Sequence, residues 1–270
     1  MSLYAISELR SREQIHRFLI RDADYAAYAL GDLDSPYAAH AHWFGASRTG
    51  EIEGLALIYD GIEPTALFLM GSLPAVSALL LHGVGPDAVT LLAPVECRNL
   101  LHDFYHIEHI AEMDRMKILP ADFRPYTLPV SLPIKRLTTD DTQNMLNLIL
   151  QAARHDARDL RDIAFEPEMV ETGTYFGVYI DEALVAMAGT HIEARRASVA
   201  ALGNVVVHPS RRGHGLGKAV STAVTRELIA AGFERIVLNV RGDNAAAVQT
   251  YNRLGFRKVS AFLEALGHRP

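Results

Sequence analysis

Two apolar rhythms alternate along residues 134–265. "YFGVYID" and "LVAMAGTHIE" read as strands joined around Asp181–Glu182, "ASVAALGNVVVHP" as a third, and "RIVLNV" as a continuous apolar strand of a sheet covered on both faces. Between them the spacing changes to three and four. In "GLGKAVSTAVTRELIAAG" Leu216, Ala219, Val220, Ala223, Val224 and Leu228 share one helical face, and Gly232 ends the helix. "DDTQNMLNLILQAAR" is a second amphipathic helix with Thr138 or Thr139 as N-cap. "FEPEMVET" opens a short one, "NAAAVQTYNRLGF" is a helix closed by Gly255, and "RKVSAFLEA" is a last strand, after which "LGHRP" is too short and breaker-rich for another.

The first half repeats this order: strand "LYAISEL", helices "SREQIHRFLI" and "ADYAAYALGDL", strands "HWFGAS", "EGLALIYDG" and "TALFLMG", helix "PAVSALLLHG", strand "AVTLLA", helix "VECRNLLHDF" and strand "EHIAEMDRMKIL". No sequence repeat accompanies it. Between the halves "PADFRPYTLPVSLP" carries four prolines in fourteen residues, a stiff extended connector. The expectation is an α/β chain with mixed sheets and two domains, 1–125 and 130–270.

Composition narrows the class. A hydrophobic content of 49% with 21% charged residues supports a real core. A net charge of -6 argues against a nucleic-acid-binding face. Cys97 is the single cysteine, so no internal disulfide forms and a reducing, cytoplasmic setting fits. "MSLYAISELRSREQ" has no apolar signal core, and "TALFLMGSLPAVSALLLHGVG" is cut by Gly71, Pro74 and His82, so no membrane span is expected.

The chemistry is concentrated in "GNVVVHPSRRGHGLGKAV". Glycines at alternate positions, set between a strand and a helix, cost helix stability and expose backbone N–H groups at the positive end of the helix dipole, where phosphate binds. Arg211, Arg212 and Lys218 add positive charge. A Walker loop would need glycine at Arg212, and a dinucleotide fingerprint glycine at Lys218, so both common nucleotide readings fail. Asn244, Ala247, Tyr251 and Gly255 form one helical stripe in the second helix, with Asn244 as cap. Read without the glycine loop, Tyr251 would be a half-buried core aromatic.

Arg212, Gly213, Gly215 and Gly217 in R-G-x-G-x-G, with Asn244, Ala247, Tyr251, Gly255 and Phe256 in the following helix, resemble the GNAT superfamily of acyl-CoA-dependent N-acyltransferases. The blocks cover about 204–256 and the element order extends the likeness over 134–262, so the fold expected is two tandem GNAT-like domains. The resemblance implies direct acyl transfer in a ternary complex, with acetyl-CoA or another acyl-CoA as co-substrate. It implies that the loop Arg212, Gly213, His214, Gly215, Leu216, Gly217 and Lys218 holds the pyrophosphate, and that the main chain of Val205 and Val207 meets the pantetheine amides. Val206 N–H is then the candidate oxyanion donor, and Tyr251 the candidate acid that protonates the leaving thiolate, its phenol having a pKa of about 10 against about 8.5 for a thiol. The place where some relatives carry a basic glutamate is Ala201; Glu193, His191 and a water relayed by Asn204 are the candidate bases. His208 shapes the turn.

The first domain offers Gly71 at the equivalent place but no arginine, and Pro74 removes a donor, so no cofactor is expected there. His102, His106 and His109 have i,i+4 and i,i+3 spacing without a further ligand run and read as solvated; no metal is expected. Arg195–Arg196 reads as a charged hairpin turn. The partners expected are a small-molecule or peptide amine, no nucleic acid, no membrane, and a homodimer as an open alternative. A non-catalytic acyl-CoA-binding or sensory module is the competing reading.

Overall fold

The computed structural model describes residues 3–129, 132–156 and 165–270; Val130 and Ser131 of the expected connector lie outside the described residues. The chain divides into two compact units, Met1–Arg115 with Lys258–Pro270, and Met116–Arg257.

The first unit contains β1 (Ala5–Glu8), α1 (Arg12–Leu19), α2 (Ala27–Gly31), β2 (Ala41–Arg48), β3 (Glu51–Tyr59), β4 (Ala66–Gly71), α3 (Leu73–Leu81), β5 (Ala88–Pro94), α4 (Arg98–Phe104) and β6 (His106–Ile118). The second contains β7 (Ile134–Arg136), α5 (Thr142–Asp156), α6 (Glu168–Thr172), β8 (Phe176–Ile180), β9 (Ala183–Ala194), β10 (Val199–Val207), α7 (Leu216–Ala230), β11 (Arg235–Arg241) and α8 (Ala245–Leu254), and the chain ends in β12 (Arg257–His268).

The division falls after Arg115, inside β6, and not in the proline-rich segment; Met116–Ile118 already belong to the second unit. That segment is not a free spacer. Phe123, Tyr126 and Leu128 pack on the core of the second unit. Arg124 N–H donates to Leu254 O at the end of α8, and Tyr126 N–H donates to Thr222 Oγ1 on α7. Apolar side chains on an extended segment gain more by covering two helices than by standing in water.

The last strand differs from its sequence reading in length and destination. β12 continues through Leu266, Gly267 and His268, and Phe262–His268 pair antiparallel with Pro94–Ala88 of β5 in the first unit. Gly267 is tolerated because its face meets His106 O, where a Cβ would crowd the backbone at 2.9 Å. The strand order is β1-β2-β3-β4-β5-β12-β6 in the first unit and β11-β10-β9-β8-β7 in the second. Both units mix pairing directions: β4–β5 and β10–β11 run parallel, and β2–β3, β3–β4, β8–β9 and β9–β10 antiparallel. The "ADYAAYALGDL" helix shortens to α2, five residues.

Local chemistry explains several turns. Asp181 and Glu182 both have positive φ, 48° and 63°, the twist that a two-residue hairpin between β8 and β9 requires. Arg195–Ser198 is a turn closed by Ser198 N–H on Arg195 O. Thr138 and Asp141 form a capping box ahead of α5.

Candidate active site

The site begins where β10 and β11 part. Their parallel pairing covers Val199–Ala201 against Arg235–Val237, while β10 runs on to Val207 and β11 to Arg241. Beyond Ala201, β10 stays paired with β9 alone, through shifts at Ala201/Leu202 and Gly203/Val206. Asn204 lies in the bulge with φ 49°, a conformation that asparagine tolerates better than most residues. Beyond the bulge one edge of β10 has no strand neighbour in the β10–β11 register.

Alternation along the strand says which main-chain groups face that edge. His208 N–H donates to Val185 O on β9, and Val206 stands opposite Met187. Hydrogen-bonding direction alternates residue by residue, so Val206 also points its N–H at β9, whereas Val207 points to the open edge. This corrects the expectation for Val206, whose N–H is committed to the sheet and is not placed to receive an oxyanion. Val207 fits an open-edge role, and its carbonyl accepts a 3.3 Å bond from Arg212 Nε. Val205 lies within the bulge. Its side chain and that of Val207 pack on the cluster holding Tyr251, while Val206 packs on the opposite one with Tyr175 and Met187.

The loop His208–Gly215 joins β10 to α7. His208 Nδ1 meets Ser210 N–H and Oγ, closing the turn. Gly213 and Gly215 have φ 81° and 82°, the left-handed region that side chains disfavour. A Cβ on Gly215 would lie 2.5 Å from the Tyr126 hydroxyl, so space and backbone both demand glycine there. Gly217 has room for a methyl beside Val207 at 3.4 Å, so its small size opens the loop without being forced. Ala219 N–H on Gly215 O is the first helical bond of α7. The N–H groups of Leu216, Gly217 and Lys218 therefore point out of the helix end, at the positive end of a fifteen-residue dipole. His214 Nδ1 turns back onto the carbonyls of Arg211 and Arg212.

Arg212 departs from its expected use. Its Nη1 and Nη2 donate to the two carboxylate oxygens of Asp156, at 2.7 and 2.8 Å. The pair pulls the Asp156 carboxyl down to about 2, the Arg212 hydrogen bond being the largest cause. A fork occupied in this way bolts the loop to the end of α5 and is not presented to a phosphate. No local spacing announces the partner, which lies 56 positions away. The unforeseen neighbour on the other side is Tyr126, whose ring lies under Lys218 Nζ at 4.1 Å.

On α8, Asn244 Oδ1 accepts from Ala247 N–H at 3.1 Å, the expected cap. Tyr251 is buried, edge-on to Phe256 at 5.9 Å, in the cluster that includes Leu216, Val220, Leu238 and Val240. Gly255 closes the helix with φ 107°, and Phe256 N–H returns to Tyr251 O.

The base candidates sit on the β9 side of the bulge. Glu193 Oε1 accepts from Thr190 Oγ1 at 2.9 Å, and Thr190 Oγ1 accepts from Thr174 N–H. Asn204 Nδ2 donates to Tyr175 Oη at 3.1 Å, and Tyr175 Oη donates to Thr190 O at 2.9 Å. His191 packs directly on Gly203, where a Cβ would collide with its Nε2. Burial lowers its pKa below the usual 6.5, partly offset by a hydrogen bond with Asn204, so its neutral form is favoured.

Elsewhere, α4 ends at Phe104 and His106 and His109 fall in β6; no group of three or more metal-type ligands occurs among the described residues. Among the same residues no helix is long and apolar enough to cross a membrane.

Comparison with known proteins agrees with this geometry. Residues 139–256 match the acetyltransferase (GNAT) family. A mycothiol acetyltransferase of Rhodococcus jostii is 33% identical over 274 residues, 95% of this chain and 84% of that protein. The mycothiol acetyltransferase of Saccharomonospora viridis is 47% identical over 55 residues, so the match spans less than a fifth of that protein, 18%, and 20% of this chain. The solved tandem GNAT protein from the clavulanic acid biosynthesis pathway shares the fold with a TM-score of 0.60 at 15% identity, covering 99% of both chains. With a relative of this identity matched over 95% of this chain and a GNAT match on the loop-bearing half, the chain belongs to the GNAT family of N-acetyltransferases.

Proposed function

We propose that this protein transfers the acetyl group of acetyl-CoA to the amine of a small molecule, in a ternary complex and by direct attack. The observation that carries the reading is the parted β10–β11 pair beside the N-terminus of α7, where left-handed Gly213 and Gly215 lead into outward N–H groups. The acyl-CoA supplies the thioester. The chain supplies an anion-binding loop for the phosphates, the open edge at Val207 for the pantetheine amides, and Tyr251 to protonate the sulfur that leaves.

We assign proton acceptance to His191, adjoining Asn204, because its neutral form is favoured; Glu193 instead accepts the Thr190 hydroxyl. The names of the relatives make a mycothiol-related amine the first acceptor to test. The experiment is thiol release from acetyl-CoA across a panel of such amines. Tyr251→Phe is expected to keep CoA affinity and lower turnover by about 10²–10⁴-fold, the usual span for general acid catalysis. Full CoA binding with no transfer to any amine selects the non-catalytic binding module, and an unchanged rate in Tyr251→Phe removes Tyr251 from the chemistry.

A further inference from the structure

The proline-rich segment carries a residue that touches the phosphate loop. Tyr126 is half-buried, held by its own N–H on Thr222 Oγ1 at 3.1 Å and by packing on the core of the second unit. From that anchor the side chain makes two contacts with the loop. Its ring lies 4.1 Å from Lys218 Nζ, and its hydroxyl lies 2.5 Å from where a Cβ of Gly215 would stand. Gly215, Lys218 and Thr222 follow one another at three- and four-residue steps, so Tyr126 spans one stripe of the first two turns of α7.

We propose that Tyr126 is a positioning residue for the anion site: it holds the Lys218 ammonium beside the outward N–H groups of α7. The inference rests on the reading of the loop as the acyl-CoA phosphate site. Its physical basis is the entropy of a lysine side chain. A free lysine spreads its charge over many rotamers, and ordering it on binding costs affinity. A cation–π contact formed in the free protein restricts the ammonium before the ligand arrives. Arg212 is engaged by Asp156, which leaves Arg211 and Lys218 as the other cations of the loop, and Lys218 is the one that lies in the first turn of α7.

The test is calorimetric titration of the full chain with CoA, comparing wild type, Tyr126→Leu, Tyr126→Phe, Lys218→Met and the Tyr126→Leu/Lys218→Met double variant. Loss of the ring is expected to weaken CoA binding roughly 5- to 20-fold, the range of a cation–π contact that is partly desolvated. Tyr126→Phe, which keeps the ring, stays much closer to wild type. The Tyr126→Leu change adds almost nothing once Lys218 is gone, because the tyrosine acts through the lysine. A merely structural tyrosine would weaken binding by the same factor in both backgrounds, and that result overturns the proposal. So does wild-type affinity in folded Tyr126→Leu, with folding checked by thermal melting. Failure of wild type itself to bind CoA is a different outcome: it removes the phosphate-site reading, and this inference with it.

Discussion

Replacing Asp156 by asparagine tests whether Arg212 is a bolt or a ligand-binding arm. The structure commits both terminal nitrogens of Arg212 to Asp156 and its Nε to Val207 O. The side chains are 42% and 31% exposed, so solvent screens the attraction. Exposed pairs are worth about 0.2–1 kcal/mol and charge-assisted bidentate geometry roughly doubles a bond, so about 1 kcal/mol of coupling is expected. The assay is a double-mutant cycle with Asp156→Asn, Arg212→Gln and the pair, each measured by denaturant unfolding and melting. Each single change should lower Tm by about 2–4 °C, and the second should cost little once the first is made. The Asp156 pKa is depressed from 3.8 to about 2. Its contribution is therefore fully present above pH 3.8 and is lost as pH falls from there toward 2. The same variants discriminate by function. A bolt predicts that Arg212→Gln and Asp156→Asn weaken CoA binding by similar factors. An arm predicts that Arg212→Gln weakens it strongly while Asp156→Asn leaves it alone or tightens it. Additive stability effects together with that asymmetry would refute the bolt.

Two other outcomes follow from named contacts. Gly255→Ala should destabilise by about 2 kcal/mol or more, seen as a lower denaturant midpoint, because φ is 107° and a Cβ would strike Asp122 O. His191→Gln should remove an acid limb from the kcat/KM profile that lies below pH 6.5. Because burial depresses the folded pKa of His191, its contribution to stability is present above 6.5 and is lost on acidification, and a limb unchanged in the variant would free His191 from the proton-acceptor role.

Much of the second unit was legible because local rules and tertiary demands agree there. Alternate glycines before an apolar stripe announced the β10–α7 connection, and Asn244 with Gly255 bracketed α8 as caps do. What escaped the sequence were relations between distant positions. Asp156 ends a helix with nothing local to mark it as the partner of Arg212. Tyr126 sits among prolines that read as a spacer, yet aromatic and leucine side chains every few residues made that segment a strap over α7 and α8. Val206 was misread because its hydrogen-bonding side depends on register with β9, and a one-residue change of register reverses it. β12 was cut short because "LGH" lacks strand character by itself; pairing with β5 supplies it.

The two halves repeat an order of elements while differing at one connection. In the second unit, eight residues, His208–Gly215, separate the end of β10 from the start of α7, long enough to turn twice through left-handed glycines. In the first, Ser72 alone stands between β4 and α3. Gly71 precedes it with φ 125°, and a Cβ there would strike Glu53 O on the neighbouring strand. Its glycine is thus explained by close backbone packing of β3 on β4. Pro74 also withholds one of the N–H groups that the start of a helix would otherwise offer. The element order was set by burying apolar faces, which both halves do; the proposed anion loop is set by the length and glycine content of a single turn. This separation predicts that chemistry follows the turn: Gly213→Pro, which forces φ near −65° where 81° is needed, should abolish CoA binding. The rest of the second unit should stay folded, because the space around Gly213 is open and no core contact depends on it. Retention of CoA affinity in that variant would show that the loop's left-handed turn is not what holds the phosphates.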